Sequence, residues 1–240
     1  MHITGSVALV TGANRGMGRH FAAQLLERGA AKVYATARDP RTVDLPGVQV
    51  LALDITAPAS VAAAAAAAGD VTLLVNNAGI STGADLVSGD LQDVRREMDT
   101  HFYGTLSMVR AFAPVLASTG GGAGGGAVLN VLSALSFVSF PGSTAYSAAK
   151  AAEWALTNGV RVELAEQGTL VTALHVGAVD TDMMAAYDVP KNDPADVVRA
   201  ALDGIEAGRL EVLADAASAG AKASVAADPS ETYPSAVRAA

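Results

Sequence analysis

The sequence predicts an α/β fold, in which a parallel sheet of about seven strands carries helices on both faces to give three layers. Short apolar runs alternate with helical stretches along most of the chain, the pattern of parallel strands joined by crossover helices. A length of 240 residues suits one domain, residues 1–240, with a substantial core. Hydrophobic residues make up 51% of the chain, and much of this is alanine, which is compatible with close packing of helices on a sheet.

The predicted elements follow one another as repeated strand–helix units. Strands are predicted at residues 6–11, 32–36, 48–52, 71–76, 127–132, 170–176 and 210–214. Helices are predicted at residues 16–28, 62–68, 90–116, 143–166 and 194–207. Residues 62–68 are all alanine, the best helix former, and this assigns them to a helix.

Two stretches are predicted to lack regular structure. Residues 120–126 read GGGAGGG, which is typical of an exposed flexible loop. This run lies between a helix and a strand, whereas a phosphate-binding glycine loop lies between a strand and a helix. The tail after residue 216 has no strong periodicity, so we expect it to pack loosely or to cross to another subunit.

Composition excludes several classes of protein. The formal net charge of −8 argues against nucleic-acid binding as the main role. No apolar stretch is long and uncharged enough to span a bilayer, and the first residues lack the layout of a signal peptide. The absence of cysteine excludes disulfides, thiolate catalysis and zinc–thiolate sites, and no metal site is predicted. We expect a cytoplasmic protein.

A glycine-rich loop with the sequence TGANRGMG, residues 11–18, follows the first strand and opens the first helix. Its glycines allow a tight turn and a close backbone approach to a pyrophosphate, while the helix N-terminus supplies free N–H groups. This order of strand, loop and helix indicates a Rossmann-type, doubly wound sheet that binds a dinucleotide. The loop residues expected at the cofactor are Gly12, Asn14, Arg15, Gly16, Met17 and Gly18.

The end of the second strand bears on which dinucleotide binds. An acidic residue there would bind the ribose hydroxyls of NAD and repel the 2′-phosphate of NADP. The chain has Ala37 at this point, followed by Arg38, whose forked guanidinium suits a phosphate. NADP is therefore favoured over NAD, with Arg15 in the glycine loop as a second cation. The alternative is that both arginines are solvated surface charges.

Tyr146 and Lys150 lie four residues apart in a predicted helix, so that the phenol and the ammonium share a face. An ammonium favours the phenolate and lowers the pKa of a tyrosine, which prepares it to exchange a proton with a carbonyl or alcohol oxygen. Ser133 stands thirteen residues before the tyrosine at a strand end. An isolated Tyr-x-x-x-Lys match is more often a solvated helix face, and Ser136 and Ser139 are alternative hydroxyls.

These motifs together resemble the short-chain dehydrogenases/reductases, in the branch with single-domain subunits. The matching pieces are TGANRGMG at residues 11–18, NNAG at 76–79, Ser133, and YSAAK at 146–150, in the order and spacing of the family. The resemblance covers about residues 5–185. It implies that Tyr146 is the general acid in reduction and the general base in oxidation. It also implies that Lys150 lowers the pKa of Tyr146 and holds the nicotinamide ribose, while Ser133 hydrogen-bonds the substrate oxygen.

The resemblance also implies further contacts to the cofactor. Asp54 would meet the adenine ring, although it could instead cap the following helix, and Thr181 would lie near the nicotinamide carboxamide. The asparagines of NNAG could likewise serve only the loop backbone. The residues implied at the cofactor, beyond the glycine loop, Arg38, Tyr146 and Lys150, are Asp54, Ile55, Asn77, Ala78, Gly79, Gly177, Val179 and Thr181.

The sequence departs from the family pattern at two places. His101 stands where the family has an asparagine that holds a relay water beside the lysine. The histidine could hold that water and shuttle protons, or it could be a packed, hydrogen-bonded helix residue. Val176 precedes Gly177 where the family has proline, which loosens a turn but removes no chemical group. The following lid, about residues 182–193, is short and predicts an open pocket with weak substrate restriction.

The expected function is that of an NADP(H)-dependent oxidoreductase interconverting a ketone or aldehyde and an alcohol. The alternatives are reduction of a C=N bond and a catalytically silent NADP-binding sensor. A halohydrin dehalogenase is disfavoured, because those relatives lose the glycine loop and replace the lysine. The resemblance implies a homodimer or homotetramer through helices 90–116 and 143–166, whose apolar faces would equally suit the core of a monomer.

Overall fold

The computed structural model describes residues 1–119 and 125–236, and at its centre lies a sheet of seven strands. All neighbouring strands are parallel, and their spatial order is 3-2-1-4-5-6-7. This confirms the predicted doubly wound sheet. In chain order the strands are β1 (Val7–Val10), β2 (Lys32–Ala37), β3 (Gln49–Ala52), β4 (Leu73–Asn76), β5 (Ala127–Val131), β6 (Leu170–His175) and β7 (Glu211–Leu213).

Helices cover both faces of the sheet and bury one apolar cluster on each. The helices are α1 (Gly16–Glu27), α2 (Pro58–Ala67), α3 (Leu91–Met98), α4 (Thr105–Thr119), α5 (Thr144–Glu163), α6 (Pro194–Glu206), α7 (Ala216–Ser224) and α8 (Pro229–Thr232). Helices α1 and α6 pack on one face, through side chains such as Phe21 and Leu202. Helices α2, α4 and α5 pack on the other, through Val61, Phe112 and Val160. The apolar faces of α4 and α5 are thus used within this chain.

The strand order reverses between β1 and β4, since the chain moves outward from β1 to β3 and then returns to the other side of β1. In an open parallel sheet, the carboxyl ends of the two strands at such a switch point diverge and leave a crevice. The predicted glycine loop lies in this crevice, between β1 and α1.

The predicted helix 90–116 is wrong as a single α-helix. A π-helical segment, Asp99–Gly104, separates α3 from α4, and α4 continues to Thr119. His101 in this segment is buried. Gly104 packs against Ile55, which follows β3, so closely that an added Cβ would lie 2.8 Å from a methyl of Ile55. Apolar periodicity does not reveal a π turn, because the turn shifts the helical register without changing which residues are apolar.

Residues 216–224 of the tail form a helix, α7, in which Ser218 is buried. Asp215 accepts a hydrogen bond from the backbone N–H of Ser218, whose hydroxyl in turn accepts from the backbone N–H of Asp215, and this capping box starts the helix. Farther on, the Tyr233 hydroxyl accepts from the N–H of Ser139, so the tail reaches the loop after β5 of its own chain.

The predicted glycine-rich loop falls largely outside the described residues, which omit 120–124. Its last two residues are placed: Gly125 donates to the carbonyl of Gln167, and Gly126 donates to that of Leu116. Within the described ranges, none of the helices has the length and apolar character needed to cross a membrane.

Candidate active site

The glycine loop forms a tight turn whose conformation requires glycine. Gly12 and Gly16 have positive φ angles of 64° and 51°. A Cβ at Gly18 would overlap the carbonyl oxygen of Gly12, so the first turn of α1 lies directly on the loop. No side chain caps the N-terminus of α1 at Arg15. Its first N–H groups are therefore available to an anion such as a pyrophosphate.

The predicted NNAG segment holds this loop in place. The Thr11 hydroxyl accepts from the backbone N–H groups of Asn77 and Ala78, both at 2.9 Å. The Asn77 side chain donates to the carbonyl of Thr11 at 2.9 Å and lies 3.3 Å from that of Gly12. These bonds tie the carboxyl ends of β1 and β4 together at the switch point. Asn77 thus hydrogen-bonds the backbone of the glycine loop, which is the alternative to cofactor contact that the sequence left open.

A cleft of about 770 Å³ opens along the carboxyl ends of the strands beside this loop. The residues assigned to the cofactor from the sequence that line it are Gly12, Asn14, Arg15, Arg38, Asp54, Ile55, Ala78 and Gly79. Lining residues that sequence reasoning missed include Thr36, Thr42, Ile80, Arg96, Thr100 and Tyr103. The last three lie on α3 and the π-helical segment, whose path across the cleft is a matter of helix packing that no local motif encodes.

Charged side chains lie at one end of the cleft. Arg38 is exposed and forms no ion pair within the described part of the chain. Asp39, two residues after the end of β2, accepts two hydrogen bonds of 2.9 Å from Arg41, and this hydrogen bonding lowers the pKa of Asp39. Its negative charge is thereby compensated locally. Arg15 pairs instead with Asp182 of the lid at 3.1 Å.

Asp54 lies in the cleft but does not cap α2, whose N-cap residue is Ala57. Its carboxylate accepts from both the hydroxyl and the backbone N–H of Thr56. The hydrogen bond from the Thr56 hydroxyl is the main cause that lowers the pKa of Asp54, and the nearby positive charge of Arg38 adds to it. Asp54 is therefore an anionic acceptor at the cleft wall.

The three residues expected to carry the chemistry come together where β5 ends and α5 begins. Lys150 Nζ lies 5.8 Å from the centre of the Tyr146 ring, on the same face of α5. Burial has the largest effect on the pKa of Tyr146 and raises it, whereas the charge of Lys150 and, less strongly, a hydrogen bond with the Ser133 hydroxyl lower it. Ser133 Oγ accepts from the N–H of Leu135, so its own proton remains free to be donated. The Ser136 hydroxyl is occupied by the N–H of Ser133, a structural role.

The pKa of Tyr146 differs in direction from the expectation. Burial raises it most, the positive charge of Lys150 lowers it as expected, and the negative charge of Glu153 raises it again, with a net upward shift. Burial is the main cause, and the pairing of Lys150 adds to it, because its Nζ donates to Glu153 Oε2 at 2.7 Å and to the carbonyl of Val131 at 2.8 Å.

His101 is buried against this group. Its Nε2 donates to the carbonyl of Ile80 at 3.0 Å and also lies 3.2 Å from Glu97 Oε2. Its ring meets that of Tyr146 edge to face, with centres 5.2 Å apart. A Cβ at Gly79 would lie 2.8 Å from His101, which leaves room for glycine alone. The histidine is therefore packed and hydrogen-bonded, yet it also faces the tyrosine; its relay role stays a prediction.

The remaining assigned residues lie on the segment after β6, across from the glycine loop. A Cβ at Gly16 would contact the Thr181 methyl at 3.3 Å, so these two loops touch. The N–H of Gly177 donates to Asp215 Oδ2 at 2.8 Å, and Asn192 donates to the same oxygen at 2.6 Å. Asp215, the N-cap residue of α7, thus joins the segment just after β6 to the end of the lid. Sequence reasoning missed it, although Asp-x-x-Ser is a capping signal.

Comparison with known proteins agrees with this geometry. The sequence pattern of the family described as short chain dehydrogenase matches residues 6–192. The NADPH-dependent 1-acyldihydroxyacetone phosphate reductase of Schizosaccharomyces pombe is 35% identical over 186 residues, which cover 74% of this chain and 61% of that enzyme. This chain therefore spans less than two thirds of that relative. An uncharacterized oxidoreductase of Staphylococcus aureus is 31% identical over 213 residues, covering 83% of this chain and 90% of that protein.

Solved structures give the same result over the whole chain. A short chain dehydrogenase from Burkholderia cenocepacia in complex with NADP is 39% identical. It superimposes with a TM-score of 0.92, and the match covers 100% of both chains.

Proposed function

The chain belongs to the short-chain dehydrogenase family and is an oxidoreductase of that family, and from this we propose that it interconverts a ketone or aldehyde and an alcohol with NADP(H). The observation that carries the proposal is the convergence of three side chains beside the dinucleotide cleft. Ser133 and Tyr146 each carry a hydroxyl, and Lys150 Nζ lies 5.8 Å from the centre of the Tyr146 ring. Two neighbouring hydroxyl groups suit an oxygen that gains negative charge, because one can donate a proton to it and the other a hydrogen bond.

The cleft has the features that an NADP molecule needs. The glycine loop and the uncapped N-terminus of α1 suit the pyrophosphate. Arg38 offers an uncommitted guanidinium for the 2′-phosphate, and the nearby acid Asp39 is neutralised by Arg41. The neighbour from Burkholderia cenocepacia binds NADP, and the relative from Schizosaccharomyces pombe is NADPH-dependent. When bound, the nicotinamide donates or accepts the hydride.

In the direction of reduction, Tyr146 donates its proton to the carbonyl oxygen, which becomes the alcohol hydroxyl. The Ser133 hydroxyl donates a hydrogen bond to the same oxygen and stabilises its developing negative charge. In oxidation Tyr146 accepts the alcohol proton. The backbone bond from Leu135 fixes Ser133 Oγ, so the donor is oriented before the substrate arrives.

The mouth of the site favours a carbonyl compound with an apolar substituent. Leu86 and Phe140 are 53% and 59% exposed on the two loops next to the start of α5. Hydrogen bonds from Gly142 to Asp85 and from Leu86 to Thr144 hold these loops together. Met183 and Tyr187 add exposed apolar surface on the short lid. We therefore expect bulky aryl ketones to be reduced at least as fast as small ones.

The deciding experiment measures NADPH oxidation against a panel of ketones, aldehydes, diketones and cyclic imines. We expect turnover of carbonyl compounds, and a loss of about 10²–10⁴-fold in kcat for Tyr146→Phe. NADPH binding by that variant, followed by fluorescence, should persist. Turnover of cyclic imines alone would replace the proposal with C=N reduction. Tight NADPH binding without any turnover would replace it with a cofactor sensor.

We also propose that the protein forms a homodimer or homotetramer and acts in the cytoplasm. The apolar faces of α4 and α5 are buried in the chain's own core, so an interface would have to use their outer faces. Val162 of α5, 76% exposed, is a side chain that such an interface would cover. Sedimentation velocity gives the assembly state directly, and a monomer at micromolar concentration would refute it.

A further inference from the structure

Glu153 is a buried carboxylate for which the proposed reaction has no use. It follows Lys150 by three residues on α5 and is 2% exposed. Oε2 accepts from Lys150 Nζ at 2.7 Å, and Oε1 accepts from the Thr105 hydroxyl at 2.9 Å. A buried carboxylate is costly unless it is paired and hydrogen-bonded, and here both oxygens are engaged. The contacts make Glu153 a fixed negative charge directly against the lysine.

Two further titratable groups face this pair from other elements. His101 of the π-helical segment places Nδ1 3.8 Å from Glu153 Oε2, and Glu97 of α3 lies 3.2 Å from Nε2 of the same ring. We call Glu97, His101, Lys150 and Glu153 the buried charge cluster. With both acids ionised, its formal charge is −1 when the imidazole is neutral and 0 when it is protonated, so the charge of Lys150 is fully balanced in either case.

This charge balance bears on Tyr146, which shares a helix face with Lys150 and Glu153. A free ammonium next to a phenol favours the phenolate, but an ammonium paired with a carboxylate presents a much weaker field. The direction of the pKa of Tyr146 agrees: burial raises it, Lys150 lowers it, and both Glu153 and Glu97 raise it.

We propose that Glu153 is a positioning residue that neutralises Lys150, keeps Tyr146 protonated and so biases the site toward carbonyl reduction. The inference rests on the proposed function, to which it adds a direction. A protonated Tyr146 is the form that donates to a carbonyl oxygen, whereas oxidation of an alcohol requires the phenolate. The Thr105 hydroxyl and the Val131 carbonyl keep the carboxylate and the ammonium in this arrangement.

The test removes the charge of Glu153 and keeps its shape. Glu153→Gln is compared with Glu163→Gln, which removes an exposed carboxylate from the same helix. Tyrosine ionisation is followed by the ultraviolet difference spectrum during a pH titration. The chain has five tyrosines, so each variant is measured with and without Tyr146→Phe to isolate the signal of Tyr146.

We expect Glu153→Gln to move the ionisation of Tyr146 to lower pH by about one unit or more, and Glu163→Gln to leave it in place. This readout needs no turnover, so it holds or fails independently of the proposed carbonyl reaction. An unchanged or higher ionisation pH in Glu153→Gln would overturn the inference.

The pH dependence of kcat/KM provides the second readout. NADPH-dependent reduction by Glu153→Gln should fall off at a lower pH than that of the wild type, and alcohol oxidation should begin at a lower pH. Glu153→Asp retains the charge and also tests the idea if the glutamine variant does not fold. A wild-type pH profile in the aspartate variant supports the charge effect, while a profile shifted as in the glutamine variant counts against it.

Discussion

His175 is the residue at which pH should act most directly on the stability of the fold. It lies at the end of β6, fully buried, and its Nδ1 donates to the carbonyl of Ser133 at 3.1 Å. The ring stacks on Phe137 with centres 4.4 Å apart and meets Trp154 edge to face. Nε2 has no hydrogen-bond partner among the described residues. A second proton on this ring would be buried, and the nearest carboxylate, Glu211 Oε1 at 3.7 Å from Nε2, belongs to a side chain that already pairs with Lys222.

Burial lowers the pKa of His175 from 6.5 to about 4, and the nearby positive charges of Lys222, Lys150 and Arg161 add to the effect. Above pH 6.5 the imidazole is neutral in both the folded and the unfolded chain and does not affect stability. As the pH falls from about 6.5 toward 4, the unfolded chain binds a proton that the folded protein does not, so the free energy of unfolding decreases. The loss amounts to about 2 kcal/mol at pH 5 and about 3 kcal/mol at full effect.

The assay is urea unfolding at pH 8 and pH 5 of the wild type, His175→Gln and His2→Gln. The glutamine at position 175 cannot be protonated but retains an N–H. It should lower stability at pH 8 through lost stacking, yet lose about 2 kcal/mol less than the wild type between pH 8 and pH 5. His2 is exposed, and its variant should follow the wild type. Parallel pH dependence in wild type and His175→Gln would refute the reasoning.

The remaining predictions concern the cofactor cleft. Arg38→Gln should weaken NADPH binding by about 10–100-fold and leave NADH binding nearly unchanged, because only the 2′-phosphate loses a charge-assisted hydrogen bond; fluorescence titration with both cofactors measures this. Gly18→Ala should lower the free energy of unfolding by about 1–3 kcal/mol and weaken NADPH binding, because its Cβ overlaps the Gly12 carbonyl. Gly159→Ala, in α5 with open space around it, should instead raise the melting temperature.

Most of the fold could be predicted because its signals are local. Each strand is a short apolar run that local composition delimits, and the boundaries of β2, β5 and β6 agree with prediction to within one residue. The glycine loop could be placed because the turn at Gly12 and the contact at Gly18 exclude other residues. A steric requirement of this kind selects glycine at the same positions wherever the turn occurs.

The parts that were missed depend on contacts between distant segments. The π-helical segment is fixed by the approach of Gly104 to Ile55 and by the burial of His101, neither of which a periodic pattern reveals. Asp215 accepts hydrogen bonds from Gly177 and Asn192, which are 38 and 23 residues away along the chain. Such pairings become visible only when the sheet has brought its carboxyl ends together.

The electrostatics of the tyrosine show where a local motif stops being sufficient. The spacing of Tyr146 and Lys150 correctly places phenol and ammonium on one helix face, but burial raises the pKa of Tyr146 more than Lys150 lowers it, and Glu153 raises it further. Glu153 is seven residues after the tyrosine, two helical turns along the same stripe, so the sequence alone puts a carboxylate within reach of the lysine. Whether that carboxylate is solvated or buried decides its effect, since water would screen it and the interior does not. The pKa of Tyr146 therefore depends on how the π-helical segment packs against α5. A Tyr-x-x-x-Lys motif determines where the proton donor lies, but it does not determine the pH at which the donor loses its proton.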